Sequence, residues 1–244
     1  MATVSPAPGA WAHAYLLDWL GRHYYGAPVP PTSAEVGQLL RRLCVRFRQT
    51  SFSSCLMMPS GEQLALYQIW TKETIDALAT WLEHERAQVV LEVGAGDGLL
   101  THWLRARLRD IPIRLIATDN GSWQTSASLH WPHRAENVWQ LTAAQALARF
   151  QPDTVLSSWM PWGEDWTGRF RMCRSVSRYV LIGEGRGGAV ATESAWDPHP
   201  DWLARPIPDF EEGAWCRTDW WDQAGRGAFR HTQAWGWVRL VPEA

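Results

Sequence analysis

Lysine is almost missing from this chain: of its 23 basic residues, only Lys72 is a lysine. That bias reads as genomic base composition and excludes no function. Paired cysteines are missing too. Cys44, Cys55, Cys173 and Cys216 form no Cys-x-x-Cys unit, so neither a zinc ribbon nor a redox motif is supported and no metal is expected. No apolar run reaches the length that spans a bilayer, and the N-terminus shows neither the basic start nor the cleavage site of a signal peptide. A reduced, cytoplasmic protein without a membrane partner is the expectation. Charge of one sign is also lacking. With 23 basic and 25 acidic residues the formal net charge is −2, which offers nucleic acid no electrostatic footprint. There are no internal repeats and no low-complexity tracts.

What is present is an ordinary globular composition, 46% hydrophobic and 20% charged over 244 residues. This length suits one core with an appended segment, or two small domains. Tryptophan is abundant: of 18, ten fall between Trp159 and the end.

The first 87 residues read as a helical N-terminal segment, a cap or lid. Trp11, Tyr15, Trp19 and Leu20 recur at helical spacing until Gly26 and the run 28–31 (PVPP) break it. Thr32-Ser33-Ala34-Glu35 has the form of a capping box opening a second helix, with Val36, Leu39, Leu40, Leu43 and Phe47 as its apolar stripe. Arg41, Arg42, Arg46 and Arg48 decorate the rest, and a solvated face explains them. Pro59-Ser60-Gly61 breaks the chain again. Thr71 can N-cap a helix running to about His84, with Ile75, Leu78 and Leu82 inward.

From residue 88 to 244 the rhythm changes to a second region. Apolar strands at 89–93, 113–119, 137–141, 153–159 and 179–185 alternate with helical segments, the βαβ signature of a parallel sheet. Extended segments at 215–222 and 229–240, joined by a Gly-bearing turn, read as an antiparallel hairpin. Trp235 and Trp237 alternate along the second of them and belong to one sheet face. Trp159, Trp162, Trp166, Trp196 and Trp202 read as loop residues.

The stretch Val89–Leu104, VVLEVGAGDGLLTHWL, runs from a buried strand through three glycines into a helix. Such a turn lets backbone approach a ligand closely, and the helix N-terminus favours negative groups. A nicotinamide or flavin fingerprint would place its third glycine where Leu99 stands, so that dinucleotide reading fits poorly.

Glu92-Val93-Gly94-Ala95-Gly96-Asp97-Gly98 is E-x-G-x-G-x-G, and Asp119 follows 21 residues after Gly98, at the end of the second strand. These residues resemble the first motif and acidic strand end of class I S-adenosylmethionine-dependent methyltransferases. Five alternating strands followed by a hairpin also resemble that family's seven-stranded sheet, whose final strand is reversed. The resemblance covers roughly residues 66–240. It implies an α/β, Rossmann-like three-layer sandwich with S-adenosylmethionine as cofactor. Glu92 and the backbone of Gly94, Ala95, Gly96 and Gly98 would take the methionine end, Asp119 the ribose, and Asn120 the neighbourhood of the adenine. Thr142 or Ala143 stands where the family often has an acid on the adenine amino group. Ser157, Ser158 and Trp159 would face the methyl group.

Methyl transfer from a sulfonium needs alignment and a dry site, and a base only when the acceptor must lose a proton. Residues 157–170 follow the fourth strand, where this fold places its acceptor. Met160-Pro161-Trp162 lacks the doubled proline and leading Asn or Asp of amide-methylating relatives, so that chemistry is not transferred. Glu164 can bind a cationic acceptor, act as a base, or cap the helix opening near Thr167; Asp165 leans to the cap. Glu184 after the fifth strand and His199 are further base candidates, and His231 shares that standing. Trp162 and Trp166 are candidates for an aromatic acceptor pocket, and Tyr67 and Trp70 for closing over the cofactor. The expected partner is a small molecule or a peptide, with no nucleic acid and the oligomeric state open. The readings in competition are cyclisation or aminocarboxypropyl transfer on the same cofactor, a non-catalytic binding protein of this fold, and a nicotinamide oxidoreductase, which Leu99 disfavours.

Overall fold

The computed structural model describes residues 8–46, 53, 56, 63–122, 129–130, 137–188, 190–221 and 228–240. The breaker at 59–61, Phe47, Arg48, Cys55 and most of the turn joining the C-terminal extended segments lie outside the described residues.

Two compact units divide the chain, and each draws on segments distant in sequence. The first comprises 1–72, 122–133 and 213–231; the second comprises 73–121, 134–212 and 232–244. The helix Lys72–His84 before the glycine strand falls, from Glu73 on, in the second unit.

The second unit is built on seven strands: β1 Val89–Val93, β2 Arg114–Asp119, β3 Val138–Gln140, β4 Thr154–Ser158, β5 Arg178–Gly183, β6 Trp202–Pro206 and β7 Gln233–Arg239. Their order is β3-β2-β1-β4-β5-β7-β6. β1 to β5 pair in parallel, and β7 runs antiparallel between β5 and β6. This is a mostly parallel, seven-stranded, Rossmann-like sheet.

Strands buried on both faces must be nearly continuous in apolar residues, and β1, β2, β4 and β5 are. Leu91, Val93, Ile116, Val155, Tyr179, Leu181 and Trp237 face one way, into a core shared with Ala146 and Leu147 of α5 (Ala143–Phe150) and Phe170 of α6 (Thr167–Met172). Tyr179 and Trp237 stack there, with ring centroids 5.0 Å apart and planes 7° off parallel. Burial pushes the Tyr179 hydroxyl up to about 12. The opposite face carries α3 (Lys72–His84) and α4 (Leu99–Arg107). Gly236 is glycine for a steric reason: a Cβ there would lie 2.7 Å from the Trp81 ring on α3.

Two expectations are corrected by the strand pairing. The antiparallel hairpin forms at its turn, where Trp220–Trp221 pairs with Ala228–Phe229, but the segment 215–222 does not join the seven-stranded sheet: Trp215–Cys216 pairs with Gln68–Ile69, and both ladders lie in the first unit. β7 instead pairs with β6, so Trp202 is a buried strand residue rather than a loop one. Trp235 and Trp237 do share a face, their ring centroids 6.4 Å apart.

The first unit contains α1 (Pro8–Leu20), a π-helical turn at Gly21–Tyr25, α2 (Ser33–Arg46) and three two-residue ladders. The capping box forms as read: the Glu35 amide donates to Thr32 Oγ1 at 3.3 Å, and the Thr32 amide donates to Glu35 at 2.7 Å. The Trp215 indole N–H donates to the Ser33 carbonyl at 3.0 Å and packs on Gly37, where a Cβ would lie 3.0 Å from the ring. Among the described residues, no helix is long and apolar enough to cross a membrane.

Candidate functional site

An open parallel sheet leaves a crevice outside the carboxyl ends of its strands where the order reverses. Here the order reverses between β1 and β4, and the glycine turn leaves β1 at that point. Gly94, Gly96 and Gly98 have φ of 70°, 55° and 78°. Side chains rarely adopt that left-handed backbone, so the glycines are a conformational requirement. The Ala95 amide ties the turn to the carbonyl of Thr118, at 2.9 Å.

Three carboxylates surround this turn. Asp119 ends β2, is buried, and uses both oxygens: Oδ2 accepts the Gly96 amide at 3.0 Å and Oδ1 the Gly121 amide at 2.7 Å. These bonds fix the Asp119 carboxylate against the glycine turn. Glu92 is 2% exposed, and its Oε2 accepts the hydroxyl and the amide of Thr101 on α4, at 2.5 and 3.2 Å. Burial pushes Glu92 up to about 8, and the nearby charges of Asp97 and Asp119 add to the shift. Asp97, whose Oδ1 accepts the Leu99 amide at 3.0 Å, is pushed up to about 7 by burial. Both acids keep their protons near neutral pH in the ligand-free chain, and a cationic ligand beside them would favour their ionised forms.

The sequence reading named Glu92, Gly94, Ala95, Gly96, Gly98 and Asp119, and the fold brings all of them to one turn. Asp97 and Thr101 were not singled out. Asp97 carried a signal as the acid between the last two glycines. Thr101 carried none, because its role depends on α4 turning back over β1. Asn120 follows Asp119 and is exposed.

Thr142 is the N-cap of α5. Its hydroxyl accepts the Gln145 amide at 3.3 Å while its own amide donates to Gln145 Oε1 at 3.0 Å, a capping box. Ala143 is buried in the sheet core. We expect Thr142→Ala to lower unfolding free energy by about 1 kcal/mol in urea melts, the usual worth of a lost cap.

The loop after β4 is held against the segment after β5. The Ala191 amide donates to the Met160 carbonyl at 2.9 Å, Gly163 to Ala191 at 3.1 Å, and Thr192 to Glu164 at 3.1 Å. Ser158 is half-buried at the strand end, and the fully buried Ser157 hydroxyl has no hydrogen-bond partner among the described residues. Trp159 sits at φ 53°, an uncommon conformation for a bulky residue, pinned by its amide to the Ile182 carbonyl at 2.8 Å. Trp162 stands 80% exposed at the loop tip. Trp166 turns inward onto the glycine turn: a Cβ on Gly94 would lie 2.9 and 3.1 Å from its Cζ3 and Cη2. Its indole N–H donates to Glu164 at 3.3 Å. Asp165, one residue before the N-cap Trp166 of α6, accepts the Thr167 amide at 2.9 Å.

The remaining candidates are dispersed. Glu184 lies at the carboxyl end of β5, folded against Gly188, where a Cβ would meet its own Cβ at 2.3 Å. His199 is placed at the other end of the sheet. It bridges to Trp202, and Trp202 is level with Arg239, whose neighbour Val238 pairs with Arg178 at the start of β5. That is the amino edge, away from the glycine turn, so the expectation that His199 lies on the acceptor side is corrected. Its Nδ1 accepts the Asp201 amide at 3.2 Å. His231 is bonded to the buried Asp219 at 3.2 Å in the first unit. Tyr67 and Trp70 also belong to that unit. Arg217 lies 5.0 Å from the Tyr67 ring centroid, and the Trp70 amide donates to the Tyr24 hydroxyl at 3.1 Å. Among the described residues, no three His, Cys, Asp or Glu side chains group as metal ligands.

No family model matches the chain, and no curated protein matches it. Among solved structures the chain is similar to the cofactor-bound Rv0187 protein from MTB, at 14% identity and TM-score 0.42 over 98% of this chain and 100% of that one. It is also similar to a putative caffeoyl-CoA O-methyltransferase from Staphylococcus aureus, at 8% identity and TM-score 0.40 over 93% and 99%. The CurJ carbon methyltransferase is similar at 12% identity and TM-score 0.45, over 98% and 72%. The sheet order and the glycine turn define the fold of this chain independently of those likenesses.

Proposed function

We propose that the chain binds S-adenosylmethionine at the β1 turn and transfers its methyl group to an oxygen or nitrogen of a small-molecule or peptide acceptor. One observation carries this reading. Three left-handed glycines leave the backbone bare at the switch point, and the carboxylate that ends the neighbouring strand holds the turn through the Gly96 amide.

The donor set fits that cofactor. Asp119 ends the strand beside the turn, where the ribose would lie, and Glu92 and Asp97, protonated in the ligand-free chain, would ionise to meet an ammonium and a sulfonium. A pyrophosphate would meet three acids in the same place, which disfavours a dinucleotide. When bound, the cofactor supplies an activated methyl group, and the protein's tasks are alignment and exclusion of water. In this reading Gly94, Ala95, Gly96 and Gly98 line the methionine end, and Asn120, Thr142 and Ala143 lie towards the adenine. Ser158 and the strained Trp159 present the acceptor side, with the exposed Trp162 as an aromatic contact for the incoming molecule. Glu184 is the remaining base candidate at the carboxyl edge.

Incubation with S-adenosylmethionine tritiated on its methyl group, across pools of small-molecule and peptide acceptors, tests the reaction. Label is expected on an acceptor, with the demethylated nucleoside as coproduct. Label recovered only in methylthioadenosine would contradict methyl transfer and favour transfer of the aminocarboxypropyl arm.

A further inference from the structure

We infer that Trp166 is the wall against which the amino-acid tail of the bound cofactor packs, and that Glu164 acts through it as a positioning residue rather than as a base. This rests on the cofactor reading above and adds to it two residues with distinct roles.

The contact with Gly94 is the starting point. A Cβ there would come within 2.9 Å of Trp166 Cζ3 and 3.1 Å of Cη2, so the benzenoid edge of the indole lies on the bare backbone of the first glycine. A ligand chain running along Gly94–Gly98 must therefore pass beside this ring. The indole is also fixed before any ligand arrives. Its Nε1–H donates to Glu164 Oε2 at 3.3 Å, and its amide donates to Met160 Sδ at 3.4 Å. The next residue is clamped by Asp165, whose Oδ1 accepts the Thr167 hydroxyl at 2.6 Å and whose Oδ2 accepts the Ser194 hydroxyl at 3.2 Å. A ring already oriented loses little conformational freedom when it is covered, so more of its contact energy appears as affinity.

The chemistry of the ring suits the tail. The tail is an aliphatic chain between a sulfonium and an ammonium, and an indole face attracts such cations. A carboxylate on the indole N–H makes a charge-assisted hydrogen bond and raises the electron density of the ring. Glu164 so engaged is already committed to Trp166, which accounts for an acid in this loop without requiring it to take a proton from the acceptor. The nucleoside half of the ligand, held at Asp119, is outside the reach of these contacts.

Calorimetric titration with two nucleosides separates the halves: S-adenosylhomocysteine carries the tail, and 5′-methylthioadenosine does not. Trp166→Leu is expected to weaken S-adenosylhomocysteine about tenfold, the equivalent of one such contact, and to leave methylthioadenosine nearly unchanged. Trp166→Phe, which keeps a ring, is expected to fall between and guards against a folding defect in the leucine variant. Glu164→Gln keeps an acceptor for the indole and should bind S-adenosylhomocysteine more tightly than Glu164→Ala, while the pH profile of turnover keeps its acid limb. Equal losses for both nucleosides, or no loss for either, would overturn the role of Trp166. Disappearance of the acid limb in Glu164→Gln would show Glu164 to be a base. Failure of the wild-type chain to bind either nucleoside would instead overturn the cofactor reading on which this rests.

Discussion

Gly94→Ala is expected to destabilise the chain by about 2–5 kcal/mol. Two costs combine. The backbone at φ 70° penalises any Cβ by about 1–2 kcal/mol. The new methyl would also press to 2.9 Å from the Trp166 ring, an overpacking that typically costs about 1–3 kcal/mol. The ring cannot easily retreat, because Glu164 and Met160 hold it. Gly163 provides the internal comparison: its φ is 84°, but a Cβ there would meet nothing within 4 Å. Gly163→Ala should therefore show the backbone cost alone. Urea unfolding of both variants measures the difference, and adding Trp166→Leu to Gly94→Ala should recover the part owed to the ring. A Gly94→Ala loss no greater than that of Gly163→Ala would place the indole elsewhere.

The second large effect is on pH dependence. Glu92 is raised from the ordinary 4.5 to about 8, and Asp97 from 3.8 to about 7. An acid raised in this way keeps its proton in the fold at pH values where the unfolded chain has already lost it. Stability is then greatest below the unfolded value and falls as pH rises towards the folded one, by up to about 1.4 kcal/mol per pH unit for each group. For the ligand-free protein the melting temperature is expected to fall by roughly 10 °C between pH 6 and pH 8. Glu92→Gln should flatten that fall and leave the smaller part due to Asp97. Binding of a cationic ligand runs the other way, since it favours the ionised acids. Affinity for S-adenosylmethionine should rise across the same interval, with proton release detectable as a buffer-dependent heat. A melting curve flat from pH 6 to pH 8 would contradict both expectations.

Much of this was legible in the residues because the physics there is local. β1, β2, β4 and β5 are buried on both faces, so each is an apolar run ended by a glycine, an acid or a turn. Glu92, the glycines and Asp119 sit within one strand–turn–helix–strand unit, where spacing alone brings them together. The misreadings arose where pairing across long separations decides. β6 is a short edge strand ending in Pro206, with Leu203 and Arg205 exposed, and nothing within it advertises a sheet. The tryptophans of 215–221 imitate a strand of the main sheet but pair within the first unit. His199 looked close to the acceptor side because its strand was unrecognised, and with it the end of the sheet on which it falls. The same holds for Trp166: its loop was visible in the sequence, but its contact with Gly94, seventy-two positions earlier, exists only in the fold.

The measurement that bears most directly on the central claim is a calorimetric titration of S-adenosylmethionine into the wild-type chain and into Asp119→Ala. Saturable one-to-one binding in the wild type is expected, falling by about a hundredfold in the variant, because two charge-assisted hydrogen bonds that shape the turn disappear together with the ribose acceptor. An absence of saturable heat in the wild type, or equal affinity in the two proteins, would contradict it.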